Sequence, residues 1–261
     1  MRGRRCQANS RPPRPTVSTP DGTPFMDRLP QQTACLSVQS RMLGHHSHAA
    51  AAADASTRGH LIHWARFYDR CVFLCTLGRA GAMREEAADL AAIRPGESVL
   101  EVGCGTGELT RRARERAGSA AVVCGIDPSA EMIGVARAKS ARAGLGIDYR
   151  IAAIEALPFA DASFDVVLSS MMMHHLPEDL KPLGLAEVRR VLKPGGRLLI
   201  VDMKRLSGRL AWCSLPLIMH HGMTHGVQDL VPVVAAAGFA SVESGDTRFR
   251  SLGFVSGRVA A

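Results

Sequence analysis

The chain has 261 residues, 46% of them hydrophobic, enough for one sizeable domain with an appendage, the reading favoured over two small domains. No run of about 18 uninterrupted apolar residues occurs, so no integral membrane association is expected. The formal charge is +8, but residues 1–50 hold seven Arg against Asp21 and Asp27, leaving +3 for the remainder; a nearly neutral folded part is a poor nucleic-acid binder.

Residues 1–57 combine Arg, Pro, Ser and Thr with an alanine run, lack a sustained apolar period, and read as a disordered extension before a domain at 58–261. The Arg-rich, acid-poor start superficially resembles an organelle transit peptide, and a true initiator at Met26 or Met42 fits equally well. The histidines of "HHSH" at 45–48 have metal-binding types but sit in this polar tail and are read as unstructured. Seven cysteines, at 6, 35, 71, 75, 104, 124 and 213, form no Cys-x-x-Cys pair, the usage of a reducing compartment, so a cytoplasmic setting is expected. Cys71 and Cys75 lie one helical turn apart and are read as buried small hydrophobes rather than a soft-metal site.

From His60 the pattern changes. "LIHWARFYDRCVFLCTLG" is aromatic and apolar at helical spacing, and "GAMREEAADLAAI" predicts a second helix ended by Arg94-Pro95-Gly96. Short apolar runs then alternate with helical patterns: strands at 98–102, 121–126, 147–151, 164–169 and 197–202, helices near 108–117, 129–143 and 179–192. A last helix at 227–237 and two closing strands joined by a hairpin complete the pattern. The fold class is α/β: a doubly wound, Rossmann-like, mostly parallel seven-stranded sheet with an antiparallel edge strand, preceded by N-terminal helices.

Between the first strand and its helix stands "GCGTG", in which Gly103, Gly105 and Gly107 permit a tight turn below a helix N-terminus, the usual seat of a nucleotide-like cofactor. Nicotinamide dehydrogenases space this turn G-x-G-x-x-G; here the third glycine arrives one residue early. Glu101 precedes the turn, where a carboxylate meets a cofactor ammonium, and Asp127 ends the second strand, where one accepts ribose hydroxyls.

"VLEVGCGTG", "GIDPSAEMI", "IEALPFADASFDVVLSSMMMHHL" and "EVRRVLKPGGRLLIVD" resemble, in order and spacing, the successive motifs of class I S-adenosylmethionine-dependent methyltransferases, nearest the branch that includes the menaquinone and ubiquinone C-methyltransferases. The resemblance implies S-adenosyl-L-methionine as cofactor and a binding set of Tyr68, Glu101, Gly103, Cys104, Gly105, Gly107, Asp127, Pro128, Met132, Ala153, Ile154, Glu155 and Ser169. Tyr68 would cover the sulfonium, to which an aromatic face is attracted. Ala153 stands where the family often has an Asp for the adenine amino group, so the backbone of Ile154 and packing by Met132 and Ile133 would hold the adenine. The fourth strand lacks the Asn/Asp-Pro-Pro-Tyr/Phe motif of base methylation, leaving a small-molecule acceptor, aromatic or lipid-like.

His174 and His175 follow that strand; either serves as a general base, or "HHL" is a structural helix cap. Trp212, His220, His221, Met223 and His225 are expected to cover the acceptor, and no metal site is expected. The alternatives are a quinone-biosynthesis C-methyltransferase, although the Arg-Asn-Val segment usual before "RVLKPGG" is missing, a nicotinamide-dependent oxidoreductase, and a non-catalytic cofactor-binding protein. Arsenite methylation needs a thiolate set that these cysteines do not single out.

Overall fold

A computed structural model describes residues 54–60, 64–205 and 225–261. The "HHSH" run, Cys6, Cys35, Cys213, Trp212, His220, His221 and Met223 lie outside the described residues. Two helices come first, α1 at Ala65–Cys75 and α2 at Ala80–Leu90. Seven strands follow, β1 at Val99–Val102, β2 at Val123–Asp127, β3 at Asp148–Ile151, β4 at Phe164–Ser170, β5 at Leu192–Met203, β6 at Ala240–Asp246 and β7 at Leu252–Arg258. The connecting helices are α3 at Glu108–Ala117, α4 at Ala130–Arg142, α5 at Leu180–Val191 and α6 at Leu230–Ala236.

The sheet runs in the order β3-β2-β1-β4-β5-β7-β6. The pairs among β1 to β5 are parallel, and β7 runs against β5 and β6, one place in from the edge that β6 forms. The order reverses direction at β1, whose neighbours β2 and β4 are reached by crossovers on opposite sides, and a crevice opens there beyond the strand carboxyl ends.

The central strands are buried on both faces because successive side chains alternate. Leu100, Val102, Ile126, Val167 and Ile200 pack toward Leu185 and Val188 of α5 and Val234 of α6. Val99, Val123, Val166, Leu168 and Leu199 pack toward Ala87 of α2 and Leu109 and Ala113 of α3. Each fully buried Val, Leu or Ile contributes about 1.5–3 kcal/mol of transfer free energy, which is why these short apolar runs settle as the middle of the sheet. Ser129 caps α4 by accepting from the Met132 N–H, closing the β2–α4 turn beside the crevice.

Cys71 and Cys75 depart from the expectation of burial. Cys75 is exposed and Cys71 half-buried, their sulfurs 3.9 Å apart on α1, and all four described cysteines are free thiols. The inner side of α1 is filled by Ala65, Tyr68 and Val72, which displaces the thiols toward solvent.

Candidate cofactor and acceptor site

The crevice deepens into a cavity of about 200 Å³ beneath α1 and α2, floored by the glycine turn. All three glycines are left-handed, with φ of +69°, +52° and +79° at Gly103, Gly105 and Gly107, a region an L side chain enters at a cost of about 1–2 kcal/mol. Their surroundings differ. A Cβ on Gly103 would stand 2.2 Å from Met172 Cγ, and one on Gly107 2.4 Å from the Tyr149 hydroxyl oxygen, whereas one on Gly105 would meet nothing within 4 Å among the described residues. Two glycines therefore serve packing of the turn against its own protein, and Gly105 alone of the three leaves its bare backbone facing open space.

Asp127 is fixed by that turn. One carboxylate oxygen accepts from the Gly105 N–H at 2.9 Å and the other from the Ser129 N–H at 2.9 Å. Burial raises its pKa, and the same two N–H groups oppose the rise. Glu101 is 2% exposed and accepts from the Thr110 hydroxyl of α3. Burial pushes its pKa up to about 8, against the Thr110 hydrogen bond and the charge of Arg84. A carboxyl group held neutral near pH 7 beside an open cavity is poised to ionise when a cation arrives.

Tyr68, Cys104, Pro128, Met132, Ala153, Ile154 and Glu155 line the same cavity. Ala152 to Ile154 leave β3 buried, tied back by the Ala152 N–H to the Asp127 carbonyl at 3.2 Å. Gly107, Ser169 and Ile133 do not line it: Gly107 sits under Tyr149, Ser169 is buried in the sheet with no hydrogen-bond partner for its hydroxyl among the described residues, and Ile133 is core. Ser170, one residue on, lines the wall instead.

The histidine pair separates. His174 turns away from the cavity; its Nδ1 lies 2.6 Å from the buried Asp202 carboxylate, which also accepts from the His174 N–H. His175 lines the cavity, its ring tilted against both His174 and His60, and burial together with the His174 charge pulls its pKa down to about 4. Around it Met171, Met172, Leu176, Val201 and Leu252 make an apolar wall on the β4 side. Met171 holds a left-handed φ of +55°, an unusual backbone for a long side chain, and donates its N–H to Val201 at 2.9 Å. His225 lies on the surface within 3.4 Å of Glu178 and does not line this cavity.

Three contributors escape sequence reasoning. Arg84 lines the cavity from α2, and among the described residues its guanidinium has no hydrogen-bond or ion-pair partner; the signal was an Arg on the inward side of an alanine-rich helix. Residues 54–60 cross the mouth: Asp54 accepts from the Ala130 N–H at 2.7 Å, the Ala55 N–H donates to Pro128 at 2.9 Å, Thr57 donates to Glu155 at 2.6 Å, and the His60 N–H donates to His175 at 3.2 Å. No apolar period marks that segment. Asp69 of α1 accepts from Thr106 of the turn at 2.7 Å and from Lys139 of α4 at 2.5 Å, anchoring the helix to the cavity floor.

The residues present fit the cofactor the motifs imply. Gly105 offers an open backbone, Asp127 a prefixed pair of acceptors, Glu101 a carboxyl group for an ammonium and Arg84 a cation for a carboxylate. The second carboxylate oxygen of Glu155 is buried without a donor among the described residues, an acceptor that a ligand N–H would satisfy.

Residues 99–196 match the model of a methyltransferase domain. A ubiquinone/menaquinone biosynthesis C-methyltransferase of Hydrogenovibrio crunogenus is 32% identical over 142 residues, 54% of this chain and 55% of that protein. The chain thus matches about half the length of that curated relative. A solved S-adenosylmethionine-dependent methyltransferase from Aquifex aeolicus superposes with a TM-score of 0.54 at 21% identity, covering 68% of this chain and 89% of its own. The 4+2 cyclase SpnF superposes with a TM-score of 0.57 at 20% identity, covering 70% and 82%. At such identities the structures show the fold, and the cyclase shows that the fold alone does not dictate methyl transfer.

Proposed function

We propose that this chain, which carries a class I S-adenosylmethionine-dependent methyltransferase domain, transfers a methyl group from S-adenosylmethionine to a small, apolar acceptor. The observation that carries the reading is the clamp on Asp127, whose carboxylate is held by Gly105 and Ser129 next to an open glycine backbone and a buried acid. In this reading Asp127 accepts the two ribose hydroxyls, Glu101 takes the methionine ammonium and Arg84 the methionine carboxylate. Ala152 to Ile154 and Met132 hold the adenine through backbone and packing, since Ala153 has no side-chain acceptor.

The sulfonium supplies an electrophilic methyl group, and its displacement is in-line, so the protein's work is alignment in a dry site. Tyr68 presents a half-buried ring on the cofactor side of the cavity, and Met171, Met172 and Leu176 exclude water from the other. His175, neutral above pH about 4, offers a ring nitrogen to an acceptor proton without a fixed charge. His174 acts through Asp202 as part of the scaffold. The acceptor end is mostly apolar, with Ser170 and the adjacent imidazoles of His175 and His60, which favours an aromatic or lipid-like molecule.

A quinone precursor is the specific form of this reading that the relatives' names favour. The absence of Arg-Asn-Val before "RVLKPGG" weighs against it. Calorimetric titration with S-adenosylmethionine, its demethylated product and NAD tests cofactor choice, and incubation of cell metabolites with methyl-labelled S-adenosylmethionine identifies the acceptor. Tight NAD binding would overturn the reading in favour of an oxidoreductase. Binding of S-adenosylmethionine with no labelled product in any extract would favour a non-catalytic or cyclase-like role.

A further inference from the structure

Among the described residues eight large hydrophobic side chains are exposed, and five of them, Trp64, Phe67, Phe73, Leu74 and Leu77, fall within the fourteen residues of α1 and its flanks. Phe67 is 64% exposed, Leu74 71% and Leu77 88%. Phe67, Arg70 and Leu74 are spaced three and four residues apart and share one side of the helix. The opposite side holds buried Ala65 and half-buried Tyr68 and Val72, which face the core and the cavity, and Asp69, which is bonded to Thr106 and Lys139. The helix is therefore apolar on both sides, one covered by the protein and one not, a pattern ordinary surface helices do not show.

We propose that the outward face of α1 docks on a lipid bilayer carrying anionic headgroups. Charge selects this occupant over another protein surface of the same apolarity. The exposed side of α1 presents Arg70 among aromatic and leucine side chains and no carboxylate, since Asp69 is turned inward. The chain that precedes the helix adds a net +5 over residues 1–50. Aromatic and leucine side chains that enter the acyl boundary, with arginines that meet the headgroups, are the composition of a helix lying in the interface. The placement also has a use. Tyr68, Val72 and Thr76 of the same helix line the cavity, so a helix resting on the bilayer sets the cavity next to apolar molecules dissolved there.

Sedimentation of the full chain with phosphatidylcholine vesicles containing phosphatidylglycerol, against phosphatidylcholine alone, tests this. Binding to the mixed vesicles is expected, weakened by added salt and roughly ten-fold or more in the double variant Phe67→Ser, Leu74→Ser, because each inserted ring or branched chain contributes a hydrophobic increment. Leu183→Ser, on the exposed side of α5, should bind like wild type. Should the double variant fail to fold, Arg70→Glu and the fluorescence of Trp64 in a Trp212→Phe chain take its place: the charge reversal should weaken binding, and the Trp64 emission should shift blue on mixed vesicles. No binding, binding unaffected by these substitutions, or a dimer in solution that the double variant abolishes would each overturn the proposal, the last assigning the face to a second copy. Lipid docking and methyl transfer fail separately: vesicle sedimentation needs no cofactor, and turnover of a soluble acceptor needs no vesicle.

Discussion

The two sides of β1 are held in different ways. On the β2 side the polar atoms facing the cavity are fixed by hydrogen bonds: Asp127 between two backbone N–H groups, Glu101 against Thr110, Glu155 against Thr57. On the β4 side the wall is mostly methionine, leucine and valine with Ser170 and the imidazoles of His175 and His60, and the His174 side chain hydrogen-bonds away from the cavity, to Asp202. A ligand with a sugar, a base and an amino acid demands many acceptors in set places, whereas an acceptor molecule needing alignment alone demands shape. The cofactor side should therefore break when one atom is changed and the acceptor side should yield gradually.

The largest effect is expected at Asp127. Asp127→Ala removes the proposed ribose acceptor and also frees the Gly105 and Ser129 N–H groups that shape the turn. Hydrogen bonds to a charged group contribute about 1.5–3 kcal/mol, so affinity for S-adenosylmethionine should fall by about 100-fold in a calorimetric titration. An unchanged affinity would remove the contrast between the two sides.

Glu101 comes next and carries a pH signature. Its pKa of about 8 in the ligand-free protein lies above the roughly 4.3 of an unfolded Glu. Between those values the folded state keeps a proton that the unfolded chain has lost, so stability declines as pH rises through that window. Glu101→Gln should raise the melting temperature of the ligand-free protein at pH 8 while lowering cofactor affinity about ten-fold. In wild type, binding an ammonium ionises Glu101, so titrations near pH 7 in buffers of different ionisation enthalpy should report proton release. Affinity should climb between pH 6 and about 8.

How much of this was legible in the sequence follows the same division. The apolar runs at 98–102 and 164–169 became β1 and β4 within one residue, since burial on both faces leaves no other use for them. The fifth strand began earlier than its apolar run, at Leu192, because a register shift between Phe164 and Val166 lets Leu192 pair with Phe164; such pairing depends on a neighbour, not on local pattern. Gly105 and Asp127 could be picked out because each stands at or just past the end of its own strand, β1 or β2, where the local pattern marks a turn. Arg84 and Thr57 could not: Arg84 sits in a helix the pattern predicts, but that its side chain meets the cavity depends on how α2 packs on the sheet, and Thr57 reaches the cavity from a segment with no periodic pattern. Thr57 offers a modest test: Thr57→Val removes the donor to Glu155 and should weaken cofactor binding about three-fold, less than either acid, with the thermal transition nearly unchanged.

The smallest effect is expected at His175, although it stands nearest to a conventional catalytic position. A general base works best with a pKa near the working pH. Burial and the neighbouring His174 charge pull His175 down to about 4, so it is already deprotonated at neutral pH but a weak acceptor of a proton. A pH–rate profile of wild type should therefore show no acidic limb between pH 6 and 7 from this residue; a limb belonging to it would lie near pH 4. His175→Gln keeps a polar group at the wall and should change turnover by less than about three-fold, because the loss is of one weak proton acceptor in a site whose main contribution is alignment. A hundred-fold loss with an acidic limb near 6.5 would mean that the bound acceptor lifts the imidazole back toward its ordinary range, and the β4 side would then be as tightly specified as the β2 side.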